Sequence, residues 1–222
     1  MAADVTSRSL ARTWRSAEGK AMAGLGGRRS RTDGYDFVLD EAGDWLGWIY
    51  LPKKPVPPPE TVVELSPISF SIAYLPVEQI IHELKDPARE VGVPVTRLVR
   101  RWDVFPEEVD RRIENLIVTN DSEIADAVFL ATSATREHIL PWMNDNADIE
   151  QLVAYLETPS KNPSEEPDRL EKLAALKFRL GALDDSLSAL SEYEERYCST
   201  GIEVIDMPGL RYVDQLRNRI AG

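Results

Sequence analysis

The chain of 222 residues holds one cysteine, Cys198, and two histidines, His82 and His138. A lone cysteine excludes an internal disulfide framework and a cysteine-built zinc site. Two histidines leave little material for histidine-centred catalysis. No apolar run approaches the ~20 residues that a membrane-spanning helix requires. Cations are also in short supply, with 26 Lys and Arg against 38 Asp and Glu, a net charge of −12. Binding to DNA by counterion release needs many cations on one surface, so nucleic acid is not an expected partner. What the chain does have is core material: 43% of residues are hydrophobic and 8% aromatic. Its length suits one or two domains.

The charge is unevenly placed. Residues 1–31 carry seven cations (Arg8, Arg12, Arg15, Lys20, Arg28, Arg29 and Arg31) and two acids, Asp4 and Glu18. Residues 32–157 carry a net −14 and residues 158–222 a net −3. A basic arm on an acidic body hints at contact with nucleic acid or a membrane surface, and its Arg and Ser content resembles a transit peptide. Asp4 and Glu18 weigh against that second reading. Leu10, Trp14, Ala17 and Ala21 follow 4-3-4 spacing, which instead predicts a helix that docks through Trp14 and leaves its arginines in solvent. Without a secretory apolar segment, the expected location is the cytoplasm.

The first helix is expected to stop at Gly24–Gly27, because clustered glycines supply positive φ and end helices. Tyr35, Phe37 and Leu39 alternate as a strand, and residues 40–44 form the turn into a second strand. There Trp45, Gly47, Ile49 and Leu51 share one face, and Leu46, Trp48 and Tyr50 the other. Apolar on both faces, it should be central or covered on both sides. Pro52, Pro55, Pro57, Pro58 and Pro59 predict an extended crossing. Ile68, Phe70, Ile72 and Tyr74 then alternate with Ser69, Ser71 and Ala73, a buried face against a small polar one. Pro76 opens a helix with Val77, Ile80, Ile81 and Leu84 inward. Residues 95–104 are a weaker strand.

From residue 106 the pattern is helical. Asn120 and Glu123 make a capping box, followed by a stripe of Ile124, Ala127, Val128, Ala131, Thr135, His138 and Ile139. Pro141 should end or kink that helix. Asp148 and Gln151 cap the next, with Ile149, Leu152, Val153 and Leu156 inward. Two helices over 167–180 and 183–197, split at Gly181, precede a last helix after Pro208. The expected fold class is therefore α+β: a small, mostly antiparallel sheet of about four strands over residues 34–104 packed against helices, then a helical C-terminal half. The expected domains are an α+β body with its N-terminal docking helix over 1–157, a Pro-rich linker over 158–167, and a helical hairpin with a closing helix over 168–222.

Chemical motifs are scarce. Gly24, Gly26 and Gly27 lack the preceding strand and third glycine of a dinucleotide loop, since Arg29 stands where that glycine would be, and they lack the lysine of a phosphate loop. Asp33, Asp36, Asp40, Glu41 and Asp44 miss the ligand spacing of a calcium loop. His82-Glu83 lacks the second histidine of a helical zinc site, and His138 falls on an apolar stripe. No nucleophile elbow accompanies either histidine. The five tryptophans (Trp14, Trp45, Trp48, Trp102 and Trp142) have core packing as their default role, although an aromatic ligand platform is an alternative. The stretch 181–197 is similar to the second helix of a tetratricopeptide unit, but a single copy does not make a stack.

The segment His138-Ile139-Leu140-Pro141-Trp142, followed by Asp148-Ile149-Glu150-Gln151-Leu152, resembles a bacterial domain-of-unknown-function family. That family combines a first helix, a small antiparallel sheet and a late helix ending in Leu-Pro-aromatic. The resemblance covers residues 5–157 and implies a fold but no activity.

The leading functional expectation is a non-enzymatic, acidic, cytoplasmic protein that binds a protein partner, with no cofactor. Toxin neutralisation is a concrete version, since an acidic face steers onto a basic effector. Asp103, Glu107, Glu108 and Asp110 form its densest acidic run, although Glu107 and Glu108 after Pro106 also suit a first helical turn. The alternative is an enzyme with Asp36, Glu64, Arg97 or Arg101 in a sheet-edge pocket. The Pro-rich stretch also gives a direct test: limited proteolysis should cut within 158–167 and leave a fragment ending near residue 160, because exposed polar loops are where proteases nick folded chains.

Overall fold

The computed structural model describes residues 7–31, 33–56, 62–65, 68–85, 97–99, 104–114, 116–160, 163, 165–198 and 203–222. The fold is α+β, with the strands in the N-terminal half and helices throughout the C-terminal half. In chain order the elements are α1 (Ser7–Gly24), β1 (Arg28–Arg29), β2 (Tyr35–Val38), β3 (Trp45–Tyr50), β4 (Lys53–Val56), β5 (Val62–Leu65), β6 (Ser69–Tyr74), α2 (Leu75–Lys85), β7 (Arg97–Val99), α3 (Glu107–Glu114), β8 (Ile117–Val118), α4 (Ile124–Ala134), α5 (Leu140–Asn146), α6 (Ile149–Glu157), α7 (Glu166–Arg179), α8 (Leu183–Tyr197) and α9 (Glu203–Ala221).

The strands make two sheets rather than one of about four strands. One has the order β1-β2-β3-β6-β7 and the other β4-β5-β8. β3 is central, as its two apolar faces predict, with Trp45, Gly47 and Ile49 buried on one side. Its other face is only half-covered, and there Trp48 stacks on Tyr50 with ring centroids 5.8 Å apart. β8 interrupts the region read as helical from residue 106. It pairs antiparallel with β5, Val118 opposite Val63 and Ile117 opposite Glu64. Two residues are too few to carry an alternation, so only the partner strand reveals this one.

β6 also departs from expectation. Phe70, Ile72 and Tyr74 are buried as predicted, but Ser71 and Ala73 on the small face are buried too. Small side chains there mark close packing on a second side rather than exposure to water. Phe70 lies edge-on to Phe105 and Trp142 at 5.9 and 6.2 Å, the favoured geometry for aromatic pairs.

Pro141 does not end its helix. The turn Thr135–Ile139 just before it adopts π-helical spacing, and α5 continues from Leu140. The wider turn accommodates a residue that has no N–H to return to the preceding turn. Asn120 Oδ1 accepts from the Ser122 amide, and Glu123 accepts from the Thr119 amide, so the expected capping box leads into a single 3-10 turn and then α4. Asp148 caps α6 through the Gln151 amide at 3.0 Å. α9 starts at Glu203 and contains Pro208, rather than following it.

The chain divides into two compact units. The first comprises Met1–Ile72 with Arg97–Asp145, the second Ala73–Thr96 with Asn146–Gly222. In the first, α1 packs on β4, β5 and α4. In the second, α7 and α8 form a hairpin about Gly181, whose φ of +76° is open to glycine at little cost. Leu170, Ala174 and Leu176 of α7 are buried, as are Ala189, Leu190 and Tyr193 of α8. α2 packs on α7 and α9, and Tyr212 of α9 donates to the Glu171 carbonyl of α7 at 2.7 Å. The described residues of the expected linker are tied to α7, for the Ser160 amide donates to Glu166 at 2.7 Å and Glu166 pairs with Arg169.

Phe70 is fully buried among aromatic partners. Phe70→Ala should cost about 3–5 kcal/mol through lost burial and a residual cavity, read as a shift of the urea midpoint at unchanged slope. A loss below ~1 kcal/mol would contradict the packing described.

Candidate functional site

Of the acidic run, Asp103 lies outside the described residues. Glu107 and Glu108 are exposed in the first turn of α3, where their charge complements the helix dipole. Glu107 also pairs with Arg111 one turn on, at 2.5 Å, an exposed contact of small worth. Asp110 is half-buried on the same turn. Glu107 and Glu108 thus present carboxylates to solvent, whereas Asp110 is partly withdrawn.

Of the residues named for a sheet-edge enzyme pocket, Asp36 and Glu64 are not brought together. Asp36 stands on β2 in the five-stranded sheet, and Glu64 on β5 in the three-stranded one. Burial pushes the Asp36 carboxyl up, against a hydrogen bond from Ser30. Arg97 begins β7, and Arg101 lies outside the described residues. His138, at the end of the α4 stripe, stands edge-on to Phe105 at 6.0 Å. Among the described residues no group of three or more His, Cys, Asp or Glu could hold a metal ion.

The most organised polar assembly lies elsewhere, beneath α1. The buried stripe of that helix is Leu10, Trp14, Glu18 and Met22, with Ala11 beside it, while Ala17 and Ala21 are half-exposed. The spacing is i, i+4 throughout, which rotates the buried face and places a carboxylate on it. Glu18 is met there by Lys53 of β4, and both side chains are only 2% exposed. Lys53 also donates to the Leu51 carbonyl at 2.7 Å, and its ammonium lies 5.6 Å from the centroid of the Trp14 ring. The second oxygen of Glu18 accepts from the Tyr35 hydroxyl at 3.0 Å, which in turn accepts from Arg29 at 2.9 Å. The Arg29 guanidinium also lies over the Tyr35 ring, 5.3 Å from its centroid.

Two of these groups, Tyr35 and Lys53, titrate away from their ordinary range. Burial, and then Glu18, hold the Tyr35 phenol well above its ordinary range. Burial pulls the Lys53 ammonium down, Glu18 opposes this, and Arg15 and Arg29 add to the lowering. Both oxygens of Glu18 are engaged, so the group fixes α1 to β4 rather than offering a base to a substrate.

Above this pair opens a cleft of about 110 Å³. Its walls are Arg15 and Glu18 of α1, Arg29 of β1, the turn residues Asp33 and Gly34 with Tyr35, and the β3–β4 junction from Tyr50 to Lys53. Gly34 has φ of +88°, and a Cβ there would fall 2.3 Å from the Ile49 carbonyl oxygen, so only glycine lets the chain pass this close.

Sequence reasoning missed this cluster because Glu18 and Lys53 are 35 positions apart in the chain. The available signal was an acid four residues from Trp14 and four from Met22. A second missed residue is Phe129 on α4, which is 70% exposed. Its signal was a large apolar side chain off the Ile124-Ala127-Val128-Ala131 stripe.

Removing one partner of a buried pair strands the other charge. Lys53→Met should therefore cost about 3–5 kcal/mol, and Glu18→Gln combined with Lys53→Met should recover most of it in a urea-denaturation double-mutant cycle. Additive losses would show that the two side chains do not depend on each other.

Comparisons with protein-family models, with curated proteins and with solved structures find no match to this chain.

Proposed function

We propose that this is a non-enzymatic, acidic protein of the bacterial cytoplasm that acts by binding a basic protein partner, toxin neutralisation being one such role. The observation that carries the reading is Phe129. A ring 70% exposed on α4 suits an anchor of an interface, because aromatic side chains are what such anchors are most often made of. Its surroundings are acidic. Asp126, one turn before it, is exposed, and α4 packs against α3, whose first turn presents Glu107 and Glu108. An apolar anchor beside carboxylates, on a chain of net charge −12, suits a partner whose own surface is cationic. The enzyme alternative has less support, because Asp36 and Glu64 stand on separate sheets and neither lines the cleft beneath α1. Among the described residues no helix is long and apolar enough to cross a membrane.

The test uses the full chain as bait in host lysate, with captured proteins read by mass spectrometry. Wild type should retain a basic protein at low salt and release it as ionic strength rises, since exposed charges are screened beyond about 8 Å at physiological salt. Phe129→Asp, and separately Glu107→Lys with Glu108→Lys, should each lose that protein at unchanged thermal stability. Variants that capture the same proteins as wild type, or that lose stability without losing capture, would overturn the assignment.

A further inference from the structure

The cleft above the Glu18–Lys53 pair is separate from the acidic α3–α4 face, and its charge has the opposite sign. Several cations have an acid at hand: Lys85 with Glu171, Arg111 with Glu107, Arg169 with Glu166, Lys177 with Glu157, Arg217 with Glu194 and Arg219 with Glu83. Arg15 and Arg29, like Arg8, Arg12 and Arg28, have none among the described residues, but these two meet at one cavity. Both line the cleft, both are exposed, and among the described residues neither has a carboxylate at ion-pair distance. Two guanidiniums without an ion pair thus converge on one cavity, in the basic N-terminal part of an acidic chain.

We propose that this cleft binds a small tetrahedral oxyanion of the phosphate class, with Arg15 and Arg29 as its principal ligands. Arg29 is held in place by its hydrogen bond to the Tyr35 hydroxyl and by the ring beneath it, which leaves the rest of its planar fork to a ligand. Such a fork matches two oxygens of a phosphate at once. Lys53 adds a third positive charge from the floor, although Glu18 already compensates it. Asp33 is the opposing charge: the residue also lines the cleft, and its backbone is held at φ of +93° with its carbonyl accepting from the Trp48 indole at 2.8 Å. Backbone in that region is costly for a residue with a Cβ and concentrates at binding sites.

Size limits the ligand. At 110 Å³ the cleft has room for a few waters or a group of about phosphate size. Drug-sized ligands need clefts of about 300 Å³ or more. The occupant is therefore either inorganic phosphate or the terminal phosphate of a molecule whose remainder stays in solvent.

The experiment is a titration of the full chain with sodium phosphate at constant ionic strength, followed by NMR of the Trp48 indole N–H. Saturable binding with a Kd of roughly millimolar order is expected. Arg15→Gln and Arg29→Gln should each weaken it about tenfold, the loss of one charge-assisted contact. Asp33→Asn should tighten it, while Arg136→Gln on exposed surface elsewhere should leave it unchanged. Because one variant is expected to gain affinity, a general loss of folding cannot reproduce the pattern. Phenyl phosphate binding at least as tightly as phosphate would assign the ligand as an esterified group, and weaker binding would assign the free ion. A response linear to 50 mM, equal weakening in Arg136→Gln, or acetate competing as well as phosphate would each overturn the proposal.

Discussion

The ion pair between Glu18 and Lys53 is the constraint on which the N-terminal part of the fold depends. A carboxylate and an ammonium buried together recover their lost hydration only when every remaining donor and acceptor is also placed. Here the Tyr35 hydroxyl answers Glu18, and the Leu51 carbonyl and the Trp14 ring answer Lys53, while the buried Trp14 indole N–H has no hydrogen-bond partner among the described residues. The requirement fixes the rotation of α1, the register of β4 beneath it, and the position of Tyr35 on β2. An all-apolar stripe on α1 would bury comparable surface with less directional demand. The pair thus contributes orientation more than net stability.

That arrangement also explains why the cleft exists. Tyr35 must reach Glu18 from β2, so the turn before it passes close to the β3 backbone at Gly34, where no side chain fits. Arg29, paired in space with Tyr35 across β1 and β2, is carried to the rim. The polar cavity and its two guanidiniums are a consequence of satisfying one buried carboxylate. The acidic surface around α3 and α4 has a different origin. Glu107 and Glu108 complement the start of a helix, and Phe129 lies on the solvent side of a helix whose opposite side is filled by Ile124, Ala127, Val128 and Ala131.

Helices with regular stripes were legible from the chain itself. Asp148 with Gln151, Gly181 between α7 and α8, and Val77-Ile80-Leu84 on α2 each state a local rule that local geometry obeys. The strands at residues 35–38, 45–50 and 69–74 were equally plain, because alternation is a local property. β8 was not, since two residues have no period and pair only because β5 lies alongside. Nor did the alternation of small residues on β6 reveal that Ser71 and Ala73 are covered while Ser69 is exposed. Small side chains suit an exposed face and a tightly packed one alike.

By itself, then, the sequence determined the α+β class, the amphipathic helices with their caps and stops, and the excess of negative charge, all of which follow from composition or from residues within a turn or two of one another. The tertiary structure alone decided that Glu18 is buried and answered by Lys53, that Arg15 and Arg29 share a cleft, and that α2 packs with α7 and α9. These depend on which distant residues meet when the chain closes. The free energy of a buried charge is set by the neighbours within a few ångströms in space, whatever their separation along the chain.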